Sequence, residues 1–148
     1  MALKDMWIPT DFAAVFPRGL MLIGEIEADE EFSSDRNAPK RQKIDMDRDG
    51  NGSRMRMWKA TVMDPSGAGK GAKNTGLDIT FISDVMPTPS ADEVAPGFRP
   101  IVLEGLMLKP RVIGNGEFKS ISFYIRATGI KGDNSGAKAN QPAAQKAA

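Results

Sequence analysis

The sequence predicts an all-β protein, and three observations carry that reading. Apolar and polar residues alternate with period two in six separate stretches, and the 3.6-residue period of an amphipathic helix runs nowhere over a full helix length. Two glycine-rich turn signals, Arg48-Asp49-Gly50-Asn51-Gly52 and Gly114-Asn115-Gly116, separate alternating stretches, as hairpins require. Gly24 and Gly105 fall inside alternating stretches, where a strand bulges or bends.

Taken in order, residues 1–19 are an irregular lead-in whose Trp7, Phe12 and Phe16 are expected to pack on the edge of the core. Asp11 stands where it can cap a helical turn that Pro17 ends. Residues 20–28 (LMLIGEIEA) form a first strand with Leu20, Leu22, Gly24 and Ile26 on one side. Residues 29–39 are polar and expected to be an exposed loop. Residues 42–47 form a second strand that the first turn joins to a long strand over 54–63. One face of that long strand holds Arg54, Arg56, Trp58, Ala60 and Val62. The other holds Met55, Met57, Lys59, Thr61 and Met63, the more apolar row. Asp64-Pro65 stops it, and the glycine-rich loop 66–74 follows with Lys70 and Lys73.

Residues 77–85 are a further strand, and the proline-rich stretch 87–100 is an exposed connection. Residues 101–113 make a strand bent at Gly105 and Pro110. After the second turn comes a strand over 118–128. Its Ile121, Phe123 and Ile125 are expected to face the core, with Phe118, Ser120, Ser122, Tyr124 and Arg126 opposite. From Gly132 onward the chain offers nothing larger than alanine to bury and is expected to be disordered. The domain reading is therefore a lead-in over 1–19, a barrel over 20–131 and a tail over 132–148. A small, closed or partly closed β-barrel is the economical architecture, because a lone sheet leaves its edges bare. An OB-fold-like barrel with two extended hairpins suits about 110 ordered residues; an SH3-like barrel or a sandwich are the alternatives.

Composition removes whole classes of chemistry. The 148-residue chain has no cysteine and no histidine, so thiolate metal sites, disulfides and Ser-His or Cys-His catalysis are excluded. No catalytic arrangement of carboxylates stands out, so no enzyme, no cofactor and no metal is expected. No apolar run approaches the roughly 20 residues of a membrane span, and the start of the chain lacks a basic-then-apolar signal. A cytoplasmic protein that contacts no membrane is the expectation. Net charge is +1, yet residues 36–73 carry 10 basic groups against 4 acidic, and residues 99–148 carry 8 against 3.

Those two basic blocks contain the two strands that place aromatics beside arginine. Bases stack on aromatic rings and phosphates pair with cations, so the pattern points to single-stranded nucleic acid. The candidate contacts are Trp58, Tyr124 and Phe118 for bases, and Arg54, Arg56, Lys59, Lys70, Lys73 and Arg126 for phosphates. Lys59 lies on the opposite strand face from Trp58. DNA and RNA are not distinguished by these residues.

The order of segments carries a resemblance. It runs from the strand GLMLIGEIEA through the basic Lys40-Arg41-Gln42-Lys43 and the acidic hairpin to MWKATVMD at residues 57–64. Leu103-Glu104-Gly105-Leu106 and SFYIRATG at 122–129 come later. Over roughly residues 20–130 this resembles the small replication, integration or excision activators of actinobacterial phages and plasmids. It is similar in plan to phage OB-fold single-stranded-DNA-binding proteins. The resemblance implies a protein of a mobile element that binds single-stranded DNA during replication or recombination, in the host cytoplasm if phage-encoded. A second copy of the chain and replication or recombination proteins are its further candidate partners. The rival readings are a phage structural or assembly protein and a duplex-DNA-binding regulator of replication or excision. The chain ends Gln145-Lys146-Ala147-Ala148 without the acidic tip by which bacterial single-strand-binding proteins recruit partners.

Two short motifs are weaker than they look. Gly67-Ala68-Gly69-Lys70-Gly71 lacks the spacing and the serine or threonine of a phosphate loop. Asp45-Met46-Asp47-Arg48-Asp49-Gly50 opens like a calcium loop, but Arg56 stands where the bidentate glutamate belongs. Calcium should therefore neither bind tightly at Asp45–Asp49 nor raise the melting temperature. Micromolar calcium affinity by calorimetry would overturn the hairpin reading.

Overall fold

The computed structural model describes residues 6–46, 50, 52–66 and 76–133. Strand β1 (Ile8–Pro9) precedes a one-turn helix α1 (Phe12–Val15). Seven further strands follow the expected alternation. They are β2 (Leu20–Ala28), β3 (Met57–Met63), β4 (Gly76–Ile82), β5 (Phe98–Ile101), β6 (Leu103–Glu104), β7 (Met107–Ile113) and β8 (Ser120–Ala127); a short β9 (Gly129–Ile130) completes the set. The all-β class holds. α1 starts after Asp11, whose side chain makes no capping bond, and Phe16 just beyond it is buried in the core.

One sheet of seven strands runs in the order β1-β7-β8-β4-β3-β2-β5. β2 pairs antiparallel with β3 and β5, and β3 pairs with β4 without interruption from Met57↔Ile82 to Met63↔Gly76. β4 and β8 run parallel through Thr80↔Arg126 and Phe81↔Ala127, and β8 pairs antiparallel with β7 over seven residues. β6 and β9 form a separate two-stranded ladder, Leu103↔Ile130 and Glu104↔Gly129. The main ladder ends at β1 and β5, and no ladder joins those two among the described residues, so the barrel expected from the sequence is not closed as a single ladder.

Burial selects one face of this sheet. Leu20, Leu22 and Ile26 of β2, Ala60 and Val62 of β3, Ile79 and Phe81 of β4, and Ile125 and Ala127 of β8 all point into one cluster. Phe16, Ile101, Leu103, Leu106 and Ile130 complete it. This corrects the sequence reading of the long strand in two respects. The row with Trp58, Ala60 and Val62 is the inward one, because those side chains stand in register with Phe81, Ile79 and Leu77. The methionine-bearing row with Lys59 and Thr61 faces out. The strand also begins only at Met57: Arg54 has φ 62°, which breaks the alternation and takes Arg54 off the face of Trp58, while Arg56, whose carbonyl accepts the Ser83 N–H, is exposed just before the strand.

Other expectations meet the structure with smaller changes. Gly24, at φ 73°, sits where the β2–β3 register shifts between Ile23 and Glu27, as an in-strand glycine implies. The stretch read as one bent strand over 101–113 is three strands, broken at Val102 and again at Gly105, whose φ is 65°. Pro110 causes no break; it pairs with Phe123 inside β7. Of the stretch read as a strand over 42–47, the described residues 42–46 form no regular strand. Isolated bridges Glu30↔Gln42 and Ile44↔Arg56 hold that hairpin, with Asp45 N–H donating to the Met55 carbonyl at 2.9 Å. The core row expected at 121, 123 and 125 is buried only at Ile125; Ile121 is 74% exposed, because β8 there has left β4 behind.

The boundary expected between the folded domain and the tail also has a structural marker. Asp133 is buried, and its carboxylate accepts a hydrogen bond from the Thr88 N–H at 3.0 Å. The Lys131 N–H donates to the Val102 carbonyl at 2.9 Å. Folded structure thus reaches Asp133, two residues past the boundary expected at 131. Asp133→Ala should lower stability by about 1–3 kcal/mol, the cost of leaving a part-buried donor unpaired. An unchanged thermal melt would show that residues 132–133 are dispensable.

Candidate nucleic-acid interface

The outward face of β7 and β8 is set by the same register that fills the core. Leu108 and Ile125 point inward, so their neighbours Met107, Lys109 and Arg111 on β7 and Ser122, Tyr124 and Arg126 on β8 point outward. Lys109 stands opposite Tyr124, and Met107 opposite Arg126. β1 lies along the other edge of β7, with Ile8 opposite Leu108 and Pro9 opposite Met107. That pairing brings Trp7 over the same face.

Aromatic rings and cations alternate across it. The Arg126 guanidinium lies 4.3 Å from the centre of the Trp7 ring. The Lys109 ammonium sits between the two rings, 5.5 Å from Trp7 and 5.6 Å from Tyr124. The Arg111 guanidinium lies 4.4 Å from Tyr124. The order is Arg126, Trp7, Lys109, Tyr124, Arg111. Each such contact is worth about 0.5–1 kcal/mol at an exposed site and about 2 or more where water is excluded. Tyr124 is 47% exposed, so its ring is open to a ligand.

The inner end of the row is tied to the hairpin over residues 42–57. Arg126 makes an ion pair with Asp45 at 3.4 Å and also approaches the Met107 sulfur at 3.6 Å. Asp45 accepts two further bonds, from the Ser53 N–H at 3.1 Å and the Ser53 hydroxyl at 2.8 Å. One carboxylate therefore joins the two limbs of the hairpin at Asp45 and Ser53 and ties them to β8. Burial pulls the Arg126 guanidinium below its ordinary value, and the Asp45 carboxylate pulls it back up. With Asp45 engaged in this way, the first acid of the calcium-like stretch serves the hairpin; Asp47 and Asp49 lie outside the described residues.

The structure divides the sequence candidates. Tyr124 and Arg126 belong to the alternating row. Trp58 does not: its indole N–H donates to the Ser83 carbonyl at 2.8 Å and its ring packs against the core. Arg54 and Arg56 are exposed on the returning limb of the hairpin, where the Arg56 carbonyl accepts the Ser83 N–H. Phe118 is 87% exposed on a 3-10 turn (Gly116–Phe118) at the tip between β7 and β8. Lys59 shares the outward face but stands between Glu27 and Thr80, in an open groove of about 620 Å³. Glu25, Glu27, Asp29 and Asp78 line that groove, so its field is acidic. Lys70 and Lys73 lie outside the described residues.

Three members of the row were not singled out by sequence: Trp7, Lys109 and Arg111. The alternation Lys109-Pro110-Arg111 was a usable signal, once set in register with Tyr124. Among the described residues, no group of three acids is placed to hold a metal ion, and no helix is long and apolar enough to cross a membrane. No family model, curated protein or solved structure matches the chain.

These placements predict stability effects of different size for two aromatics. Trp58→Ala should cost about 3 kcal/mol or more, as for a large side chain removed from a core. Tyr124→Ala should cost less, about 1–2 kcal/mol, for its two cation–π contacts on an exposed face. Thermal melts of the two variants distinguish these roles, and a neutral Trp58→Ala would return the indole to the list of ligand contacts.

Proposed function

We propose that this chain is a non-enzymatic protein that binds single-stranded DNA with little sequence preference, acting in phage or plasmid replication or recombination. The observation that carries the reading is the alternation Arg126, Trp7, Lys109, Tyr124, Arg111 on one sheet face. A single strand presents base faces and phosphates in alternation. Base stacking on an aromatic is worth about 1–3 kcal/mol by alanine substitution and tolerates any base. On binding, base faces compete for the rings of Trp7 and Tyr124, and phosphate oxygens compete for Lys109 and Arg111. Arg54 and Arg56, on the hairpin tied to Arg126, extend the cationic path. Lys59 adds little, since the carboxylates of its groove offset it.

An OB-fold-like plan supports the same reading. β2, β3, β4 and β8 follow one another in the sheet, with β4 and β8 parallel. The bent run over 98–113 meets β2 at its start, β9 at its middle and β8 at its end. OB-folds bind oligonucleotides with their second and third strands and the hairpins after strands one and four; here carboxylates line the outward face of the second and third strands, β3 and β4, so the parallel rests on the two hairpins. The corresponding hairpins here are those over 42–57 and 107–126, linked by Asp45 and Arg126.

Oligo-dT, duplex DNA and single-stranded RNA in parallel gel shifts test the proposal. Oligo-dT should bind, with an affinity falling in salt by a log–log slope of about −0.7 per phosphate contacted. Trp7→Ala and Tyr124→Ala should each weaken it by about tenfold. Replacing Lys109 and Arg111 with glutamine should flatten the salt slope by about 1.4, two contacts' worth. Binding to none of the probes would favour a structural or assembly protein, and a duplex preference would favour a regulator of replication or excision.

A further inference from the structure

From Ser120 to Ile125, β8 reads Ser-Ile-Ser-Phe-Tyr-Ile, with no charge and no proline. β4 covers β8 only at Arg126 and Ala127, and β1 covers β7 only at Met107 and Leu108. Beyond those points, among the described residues, the β7–β8 ribbon has two edges without a strand neighbour. The edges differ. β7 carries Lys109, Pro110 and Arg111 there, and a proline and charges are what blunt an edge against pairing. β8 carries no such protection. Its inward row also leaves the core exposed: Ile121 is 74% and Phe123 44% exposed, in line with the buried Ile125. A two-stranded ribbon alone is marginally stable in water, and an uncharged edge of high β propensity is a template for another strand.

We propose that the β8 edge is a dimerisation edge, which takes β8 of a second copy of this chain in antiparallel register about a twofold axis at Ser122. The occupant follows from the side-chain order. With Ser122 opposite its own counterpart, Ile121 stands opposite the partner's Phe123 and Ser120 opposite the partner's Tyr124. Apolar residues meet apolar residues on one face, hydroxyl groups meet hydroxyl groups on the other, and no like charges oppose. The axis is fixed from both sides. One pair inward would set Ser120 against the partner's Arg126, where β4 already occupies the edge. One pair outward would set Lys119 against the partner's Phe123. The pairing joins two ribbons into four strands, with both cationic faces on the same side, and it does not depend on what those faces bind.

Because the chain has no cysteine, one introduced thiol reports the contact. Opposed Cα atoms of an antiparallel pair lie about 4.5–5.5 Å apart, within the roughly 4.4–6.8 Å a disulfide spans. Ser122→Cys should therefore form a covalent dimer under mild oxidation about tenfold or more faster than Val112→Cys, which is exposed on β7 away from the axis. By analytical ultracentrifugation the parent should sediment as two chains at high micromolar concentration. The Ile121→Lys/Phe123→Lys variant, whose new charges meet solvent in a single chain, should sediment as one chain with its thermal melt kept. Mixing it with the Ile121→Glu/Phe123→Glu variant should restore the two-chain species. A parent that sediments as one chain, or a Ser122→Cys variant that cross-links no faster than Val112→Cys, would overturn the proposal.

Discussion

Everything on the outside of this sheet depends on one row inside it. Trp58, Phe81 and Ala127 stand side by side across β3, β4 and β8, and Val62 and Leu22 extend the inward set into β2. Phe81, Val62 and Ala127 are fully buried. Since a strand turns alternate side chains to opposite faces, burying that row fixes every outward position without further instruction. Lys59, Thr80, Arg126 and Met107 then form a line across the outer face. A slip of one residue in β8 would bury Arg126 and Tyr124 and expose Ile125 and Ala127. Each exposed large apolar side chain forfeits about 1.5–3 kcal/mol, so the cationic face is held in place by the hydrophobic one behind it.

Arg126 is where the two hairpins meet, and its energetics differ from those of a surface ion pair. It is largely covered by Trp7 and Met107, and Asp45 faces it at 3.4 Å. An exposed pair of this kind contributes about 0–1 kcal/mol. Partial burial raises both the attraction and the cost of losing one partner, because the remaining charge is then left without water or counter-charge. Asp45 in turn holds Ser53 on the returning limb. This contact thus ties the limb that carries Arg54 and Arg56 to β8, the strand of Tyr124, although the two segments are far apart in the chain.

Much of the strand pattern was legible, and the losses have physical causes. β2 has the bounds its alternation implies, and Gly24 marks the register shift. Parity alone could not say which row of residues 54–63 faces in, because Ala60 and Val62 are no more apolar than Met57 and Met63. The answer lies in Ile79 and Phe81 across the sheet. Arg54 departs from the strand through a left-handed backbone that no local rule assigns to arginine. Trp7 was legible as an aromatic but not as a site member: its partners Lys109 and Arg126 are about a hundred residues on, and β1 is too short for any periodicity. Lys109 and Arg111 were hidden by the turn. Gly114-Asn115-Gly116 reads as a tight connection, whereas β7 and β8 are joined through residues 114–119 with a 3-10 turn, which moves the cross-strand register.

The outward face also explains how a net charge of +1 can coexist with a strongly cationic site. The carboxylates of Glu25, Glu27, Asp29 and Asp78 gather on β2, β4 and the start of the loop after β2, while Lys109 and Arg111 of β7 stand beside Tyr124 of β8. At physiological salt a charge is felt over about 8 Å, so the two regions act as separate surfaces. A polyanion drawn to Lys109 and Arg111 is repelled where β2 ends and β4 begins. On the proposed reading, the acidic groove therefore borders the path of the strand. It confines the strand to the row from Arg126 to Arg111 and toward the hairpin that Asp45 holds beside it.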